Sequence, residues 1–299
     1  MYRTFVIVRH TFVEAIVQPI YSLLLGLGAA VLVIFAALPF FTLGEDAIMF
    51  KSVGLNVILI VALIVTLFAT SRSIFEEIED RTMLTLMSKP VKRWQVLAGK
   101  YVGIILAAAL AVGVLGGVLA LCLWWRIPGD YMIRTTSIDD RELRQLAGLR
   151  LMHLSGLAPA LLQVWLEISA LAAVGVALST RVSLVVNLPV VILIYIAGNL
   201  TRFLYGPESP LIGRPPIVKA FAWLISLLLP YLEAFDLQAL TVNTPIKIAQ
   251  FSRDPNAVAL SKVWGYVAIS GGYAIAYAVF ALSVGMWLFQ TRELGGAEG

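Results

Sequence analysis

Six long apolar runs, separated by shorter polar segments, constrain the fold of this chain more than any other feature. A helix needs about 20 mainly apolar residues to cross the hydrocarbon core of a membrane, where it satisfies its own backbone hydrogen bonds. The predicted spans are residues 20–41, 53–70, 102–125, 157–178, 182–200 and 263–289. The sequence therefore predicts an all-α membrane protein with six transmembrane helices in a single domain that covers residues 1–299.

The composition excludes an ordinary soluble domain. Of the 299 residues, 60% are hydrophobic and 13% are charged, whereas a typical soluble domain is roughly half apolar and a quarter charged. The net charge of +4 comes from scattered basic residues, which favours membrane flanks over a nucleic-acid surface. The single cysteine, Cys122, lies inside an apolar run, so no intrachain disulfide can form and we expect a core position.

The N-terminal segment, residues 1–18, mixes apolar side chains such as Phe5 and Phe12 with charged ones such as Arg9. This pattern predicts an amphipathic elbow helix that lies in the membrane interface. The uncharged stretch at 15–44 is much longer than the roughly 7–15 residues of a signal-peptide apolar region. We therefore expect a retained first span.

The connection between the fifth and sixth spans has a different character. Gly and Pro residues at 206–210 and 213–216 rule out a continuous helix there. The apolar piece that follows, 217–229, is too short to cross a membrane and has the length of a re-entrant or interfacial segment. A seventh span is the main alternative, but Lys219 and Pro230 interrupt the required window of about 20 residues.

Counts of Lys and Arg nearly balance on the two sides of this predicted topology. The basic cluster at 89–93 and the basic turn residue Arg181 favour a cytoplasmic position for the 72–100 loop. Both termini are then cytoplasmic, in a multi-pass protein of the inner (plasma) membrane. The connections at 126–156 and 201–262 are then extracytoplasmic.

The polar loop at 72–100 is the part of the chain that a soluble partner reaches most easily. Residues 74–87 favour a helix, Lys89 and Pro90 interrupt it, and proline suits the first turn of the helix that follows. The corner between these helices combines basic residues with the large amphipathic ring of Trp94, which is typical of a protein contact. The alternative is a solvated loop that anchors to membrane lipid headgroups.

Acidic residues precede this corner. Glu77 and Arg81 have the i,i+4 spacing of a favourable helical ion pair, whereas Glu76 and Asp80 repel each other at the same spacing. The surplus of acid predicts a basic partner for this part of the loop.

Three runs within residues 77–103 resemble the first cytoplasmic loop of the ABC transporter type-two (exporter-like) permeases. They read Glu-Ile-Glu-Asp-Arg-Thr, then Leu-Met-Ser-Lys-Pro-Val-Lys-Arg-Trp, then Leu-Ala-Gly-Lys-Tyr-Val-Gly. Lys92 stands where that family usually has Ser, and Ala98 is inserted among the small residues. In that family the loop carries the coupling helix, which sits in a cleft of the ATPase subunit. The resemblance implies that the ATPase-coupling residues are Glu76, Glu77, Asp80, Arg81, Thr82, Ser88, Lys89, Pro90, Val91, Lys92, Arg93 and Trp94.

The resemblance implies a permease subunit of an ATP-driven exporter, with the translocation path in this chain. A phosphate-cradling loop needs the pattern G-x-x-x-x-G-K-[ST], but Gly99 and Lys100 are followed by Tyr101, and Trp94 stands where the first Gly belongs. We therefore expect no cofactor and no enzymatic activity in this chain, with ATP and Mg bound to a separate ATPase subunit. A second permease copy or a homologue completes the two-fold architecture that is usual in the family.

Two other classes of function stand beside this interpretation. An intramembrane enzyme would need convergent catalytic groups, such as two His with carboxylates or Ser with Lys, and we find no such set in the sequence. A non-transporting assembly or scaffold subunit differs only in lacking coupling between a substrate and ATP hydrolysis. His10 and His153 are far apart, with no Cys or His spaced for a metal, so we expect no metal site.

Polar residues inside the predicted spans are the candidates for the translocation path. Glu167 lies in the middle of the fourth span, one turn from Gln163, where an ionised group costs at least a few kcal/mol unless it is paired or faces water. Glu167 is predicted either to line the path or accept a proton, or to make an interhelical hydrogen bond. The same two interpretations apply to Gln163, and to Asn56, Asn187 and Asn199, for which helix packing is favoured.

Overall fold

The structure is a computed structural model that describes residues 2–38, 46–80, 92–130, 140–205, 229–237, 246–247 and 258–290. The α-helices in these ranges are α1 (Tyr2–Val17), α2 (Pro19–Ala37), α3 (Asp46–Thr70), α4 (Glu77–Glu79), α5 (Arg93–Asp130), α6 (Asp140–Ser155), α7 (Leu157–Ser179), α8 (Leu184–Tyr205) and α9 (Leu260–Gln290). The other elements are a π-helical turn (Ser71–Glu76) between α3 and α4, a 3₁₀ turn (Leu232–Phe235), and strands β1 (Ile246–Lys247) and β2 (Val258–Ala259). The two strands pair in parallel, with Ile246 opposite Val258.

Five helical stretches are long and apolar enough to cross a membrane, namely Pro19–Ala37, Ala47–Glu79, Arg93–Gly129, Glu142–Ser179 and Leu260–Gln290. They confirm a helical membrane protein. A helix also lies at the predicted fifth span, but the apolar part of α8, Leu184–Leu200, is shorter than the other five. The count of six spans therefore stays a prediction. Of the predicted re-entrant segment 217–229, only Leu229 lies within the described residues.

Helix α7 is the centre of the bundle. Every residue from Leu166 to Ala173 is buried, and α7 contributes to all three hydrophobic clusters of the described chain. A helix that is buried on all sides must have neighbours on all sides. Helix α7 packs most extensively against α9, and it also packs against α3, α5 and α8.

Helix α9 has one buried face and one exposed face. Its buried residues recur every three or four positions, from Val263 through Ala274 to Phe289, which is the period of one helical face. The opposite face exposes Ile269 and Ile275, at 76% and 67%. An exposed face this apolar is the composition expected of a helix in contact with lipid.

Helix α1 lies along the first half of α5, and two glycines allow the close contact. A Cβ atom at Gly103 would lie 2.7 Å from the Cβ of Thr11, and one at Gly99 would lie 3.0 Å from the side chain of Ile7. The far side of α1 exposes Phe5 and Val17. A helix with one face on the bundle and apolar residues on the other has the form expected of an interfacial elbow.

Helix α5 continues beyond the predicted end of the third span at residue 125. The guanidinium of Arg126 donates hydrogen bonds to the carbonyls of Phe35 and Ala36, at 3.1 and 3.0 Å, and lies 5.5 Å from the ring centroid of Phe50. These carbonyls end α2 and have no acceptor role within it. Arg126 donates hydrogen bonds to these carbonyls, which allows its charged side chain to be buried in the bundle. The predicted connection 126–156 is therefore helical at 126–130, and it is helical again in α6.

The contact between α7 and α9 generates a prediction about glycine. A Cβ atom at Gly285 would lie 2.8 Å from the Cα of Ala177, whereas one at Gly265 would meet no atom within 4 Å. We expect Gly285→Ala to lower the free energy of unfolding by about 1–3 kcal/mol because the two helices must separate. Gly265→Ala is the matched control and is expected to be neutral or to stabilise by up to about 1 kcal/mol. Thermal unfolding of the purified chain in detergent measures both, and equal midpoints would contradict the close contact.

Candidate functional site

The predicted coupling loop is described on its two flanks. The candidates within the described residues are Glu76, Glu77, Asp80, Lys92, Arg93 and Trp94. The candidates outside them are Arg81, Thr82, Ser88, Lys89, Pro90 and Val91. The described part of the helix predicted over 74–87 consists of the end of the π-helical turn and of α4, which ends at Glu79.

A buried lysine joins the two flanks of the loop. Lys100, near the start of α5, is 3% exposed, and its Nζ donates to Glu77 Oε1 at 2.6 Å and to Ser73 Oγ at 3.2 Å. The ammonium also donates to the backbone carbonyl of Ser73, inside the π-helical turn. The three donors of the ammonium thus have three acceptors. Because π-helical turns are frequent at functional sites, this junction is the first part of the candidate site.

The sequence predicted an ion pair between Glu77 and Arg81, which lies outside the described residues, and no role for Lys100 was predicted. The partner of Glu77 in the structure lies 23 positions further along the chain. A signal was available, because a lysine inside a largely apolar helical stretch needs an acidic partner. The other described acid–base pair of this flank joins Arg72 to Glu76 at 4.0 Å, and both side chains are about half exposed, so it contributes little stability.

Two arginines bind the carbonyls at the end of α9. Arg93 donates to the carbonyls of Phe289 and Gln290, both at 3.4 Å, and its guanidinium lies 5.6 Å from the centroid of the Phe289 ring. Arg181, in the turn between α7 and α8, donates to the carbonyl of Leu288 at 3.1 Å. Cations stabilise helix C-termini, where the last carbonyls lack partners within the helix. The start of α5 and the turn at Arg181 therefore both contact the end of the last helix.

These contacts divide the basic corner into internal and accessible residues. Arg93 is half-buried against α9, whereas Lys92 is exposed and Trp94 is 54% exposed. A partially exposed tryptophan beside a lysine has the chemistry of a protein contact. Within the described residues, Lys92 and Trp94 are the predicted coupling residues of the α5 flank that a partner can contact directly.

The Lys100 contact generates a prediction about stability. We expect Lys100→Met to lower the free energy of unfolding by roughly 2–3 kcal/mol, because it leaves the Glu77 carboxylate without its cation. Adding Glu77→Gln is expected to restore much of this loss, because the uncompensated charge is removed. Arg72→Met breaks the exposed pair with Glu76 and is the control, with an expected change of less than about 0.5 kcal/mol. Unfolding of the four proteins in detergent provides the comparison, and equal losses for Lys100→Met and Arg72→Met would refute it.

The second part of the candidate site is a cavity of about 110 Å³ towards the other end of the bundle. Among its lining residues, Glu167 comes from α7, Asn56 from α3 and Asn199 from α8. Three of the predicted polar positions therefore meet at one place. The complete described lining consists of Leu55, Asn56, Leu59, Ala160, Val164, Glu167, Tyr195, Asn199, Leu232, Phe235, Asp236 and Leu237.

Gln163 and Asn187 have a different role, because each joins helices by hydrogen bonds. Gln163 Nε2 donates to the carbonyl of Ala234 at 3.1 Å, and its Oε1 accepts from the Ser270 hydroxyl at 2.8 Å. Asn187 Nδ2 donates to the Gly175 carbonyl at 3.1 Å and to Ser179 Oγ at 2.7 Å. These are the interhelical bonds that the packing interpretation predicts for polar residues in a membrane bundle.

The segment 229–237 closes the cavity on one side. Leu232, Phe235 and Leu237 are buried, and a Cβ atom at Gly198 of α8 would lie 2.8 Å from the Pro230 carbonyl oxygen. The segment is therefore packed closely onto the bundle, whereas the sequence predicted only that the piece ending at Leu229 is re-entrant or interfacial.

Tyr231 fixes this segment further. Its backbone N–H donates to the Tyr273 hydroxyl at 2.7 Å, and its own hydroxyl donates to Glu233 Oε2 at 2.8 Å. Burial, followed by this hydrogen bond, raises the pKa of the Tyr231 phenol to about 12, so the hydroxyl remains protonated at neutral pH. Sequence reasoning missed Tyr195 and Asp236 of the cavity lining, because only the folded segment brings Asp236 beside Glu167.

The described residues contain no group of three or more His, Cys, Asp or Glu side chains that could hold a metal ion. His10 is exposed on α1 and lies 3.8 Å from Glu14, one turn further along the helix, which is half-buried. His153 is buried on α6.

The apolar helices and the buried polar contacts between them define a multi-pass helical membrane protein. Residues 28–294 match the family model of the ABC-2 family transporter proteins. The match covers most of the chain, so the protein belongs to the ABC-2 transporter family. A comparison with curated proteins finds no match.

Proposed function

We propose that this chain is the permease subunit of an ATP-binding-cassette exporter, which forms the translocation path and couples to a separate ATPase subunit through residues 74–94. The observation that carries the proposal is the junction at the base of this loop. Lys100 joins the α3 flank to the α5 flank, while Lys92 and Trp94 remain exposed beside it. Membership of the ABC-2 family supports the same conclusion.

The junction suggests how a movement of the loop reaches the spans. Closure of the ATPase subunits displaces the loop, and the Lys100–Glu77 ion pair makes α3 and α5 move together. Arg93 binds the carbonyl end of α9, so the last helix follows the start of α5. Packed elements with discrete arrangements transmit displacement in this way.

ATP and Mg bind to the partner ATPase in this proposal, and the permease chain alone is not an enzyme. A second permease copy or a homologue completes the transporter in the membrane. Exposed small residues on α5 support such a contact, because Gly113 and Gly117 have the G-x-x-x-G spacing and a Cβ atom at either would meet no described atom within 4 Å. The mass of the purified complex tests the copy number.

The exposed tryptophan of the loop generates a prediction about the ATPase. We expect Trp94→Ala to weaken binding of the co-expressed ATPase by roughly tenfold or more, because buried tryptophans dominate many protein interfaces. Trp125→Ala is the matched control, because Trp125 is 69% exposed near the opposite end of the same helix. Affinity co-purification and ATP hydrolysis of each complex are the measurements. Equal recovery of the ATPase with both variants would refute the docking role, and ATP hydrolysis by the pure permease chain would refute the subunit assignment.

A transporting permease is distinguished from an assembly subunit by the same purified complex. Coupled transport predicts that a substrate changes the rate of ATP hydrolysis, whereas a scaffold subunit gives a rate that does not depend on any transported substrate. Arg93→Glu is a poor docking probe, because the substitution also removes the contacts with the end of α9.

The proposed orientation places the loop and both termini in the cytoplasm, with the protein in the inner (plasma) membrane. Replacing Cys122 gives a cysteine-free background. Single cysteines at the exposed positions Lys92 and Gln145 then report the two sides of the membrane. A membrane-impermeant thiol reagent on intact cells is expected to label position 145 and to spare position 92. The reverse pattern would invert the proposed topology.

A further inference from the structure

The cavity beside Glu167 contains a buried carboxyl group without a partner among the described residues. Glu167 is 7% exposed and lines the cavity. Within the described part of the chain, its carboxyl group makes no hydrogen bond and no ion pair. A buried carboxylate without a partner is strongly disfavoured in a membrane bundle. Gln163 lies one turn away on the same helix and has hydrogen-bond partners for both of its polar atoms. Of these two residues, Glu167 is therefore the one whose polar group lacks a partner.

The electrostatics of the cavity favour a cation. Asp236, which is exposed, lines the same cavity and disfavours a negative charge on Glu167, so an ionised Glu167 needs a cation beside it. The described lining contains no Lys, Arg or His that could pair with an ionised Glu167. A concave site with charges of one sign attracts ions of the other sign.

The other polar atoms of the lining are suited to the same occupant. Asn199 uses its Nδ2 to donate to the carbonyl of Tyr195, which leaves its side-chain oxygen to accept. Tyr195 and Asn56 also line the cavity. Carboxylate, amide and hydroxyl oxygens are the ligands of hard cations.

We propose that this cavity binds one small monovalent cation, either an inorganic ion or the ammonium group of a small amine, with Glu167 as its charged ligand. A volume of about 110 Å³ accommodates such an ion with water, and is too small to enclose a whole lipid or peptide. One positive charge is sufficient, because Glu167 is the buried acidic group of the described lining, whereas Asp236 is exposed. The binding takes place in the isolated chain, so it holds or fails independently of the coupling to an ATPase.

The test is thermal unfolding of the purified full-length chain in an uncharged detergent at fixed pH. Sodium, potassium, ammonium and methylammonium chlorides are titrated separately, and a bulky organic cation keeps the ionic strength constant. We expect at least one of the four cations to raise the unfolding midpoint by about 3–6 °C at saturation. A response to sodium or potassium indicates an inorganic ion, whereas a response to ammonium or methylammonium alone indicates an amine.

Glu167→Gln is expected to abolish this response, and to unfold without added cation at a midpoint no lower than wild type, because its neutral amide needs no counter-ion. Glu233→Gln is the matched control, since Glu233 lies in the same 3₁₀ turn as the lining residues but outside the lining, and it should respond as wild type does. Asn199→Ala keeps the carboxylate and should shift the cation concentration at half-saturation upward by roughly tenfold.

Two results would overturn the proposal. The first is a response of equal size in Glu167→Gln and wild type. The second is the absence of any cation response in wild type, with a midpoint that changes only with pH, because Glu167 would then be neutralised by a proton. If Glu167→Gln does not fold, Asn199→Ala decides, and a half-saturation concentration equal to that of wild type would refute the site. If sodium is the cation that raises the midpoint, equilibrium binding of radioactive sodium is measured as well. The variants must then have the same order of sodium affinity as in the unfolding experiment.

Discussion

The buried ammonium of Lys100 is the interaction on which the loop end of the bundle depends. A charge in an apolar helical bundle must have partners, and Lys100 obtains them from the Glu77 carboxylate and from two oxygens of Ser73. Both Ser73 and Glu77 lie beyond the regular part of α3, in the π-helical turn and at the start of α4. The π-helical turn thus does more than bend the chain, because it brings a backbone carbonyl and a carboxylate to one cation. The helices on the two sides of this loop are therefore joined at its base.

Arginines at helix ends serve the same need elsewhere in the molecule. Arg126 binds the last carbonyls of α2, and Arg93 and Arg181 bind those of α9. Each contact satisfies carbonyls that a helix leaves unpaired and places a positive charge at the negative end of the helix dipole. This explains why counts of Lys and Arg gave a weak signal for orientation. Arg126 was counted as a loop charge, but it is buried against α2 and Phe50, so it reports helix packing and not only the side of the membrane.

The sequence predicted the features that depend on local patterns, but not those that depend on contacts between distant parts of the chain. The apolar runs predicted where the long helices lie, because burial in lipid and the helical backbone bond are local requirements. The amphipathic start and the loop at 72–100 were also legible from residue patterns. The pairing of Lys100 with Glu77 could not be read from residue patterns, because the only basic residue at helical spacing from Glu77 is Arg81. The approach of the 229–237 segment to α8 depends on Gly198, where a Cβ would collide with the Pro230 carbonyl oxygen. A single glycine in an apolar run does not predict which segment packs against it.

Gln163 and Glu167 show why the role of a polar residue in a span is decided by its neighbours. Both lie on α7, one turn apart, and the sequence offered each the same two interpretations. Gln163 meets the carbonyl of Ala234 and the hydroxyl of Ser270, so its amide is a crosslink between α7, the 3₁₀ turn and α9. Glu167 meets a space bordered by Asp236 and Tyr195. The crosslink at Gln163 holds in place the segment that carries Asp236, and so the packing residue of the pair helps to form the wall of the cavity that the acidic one lines.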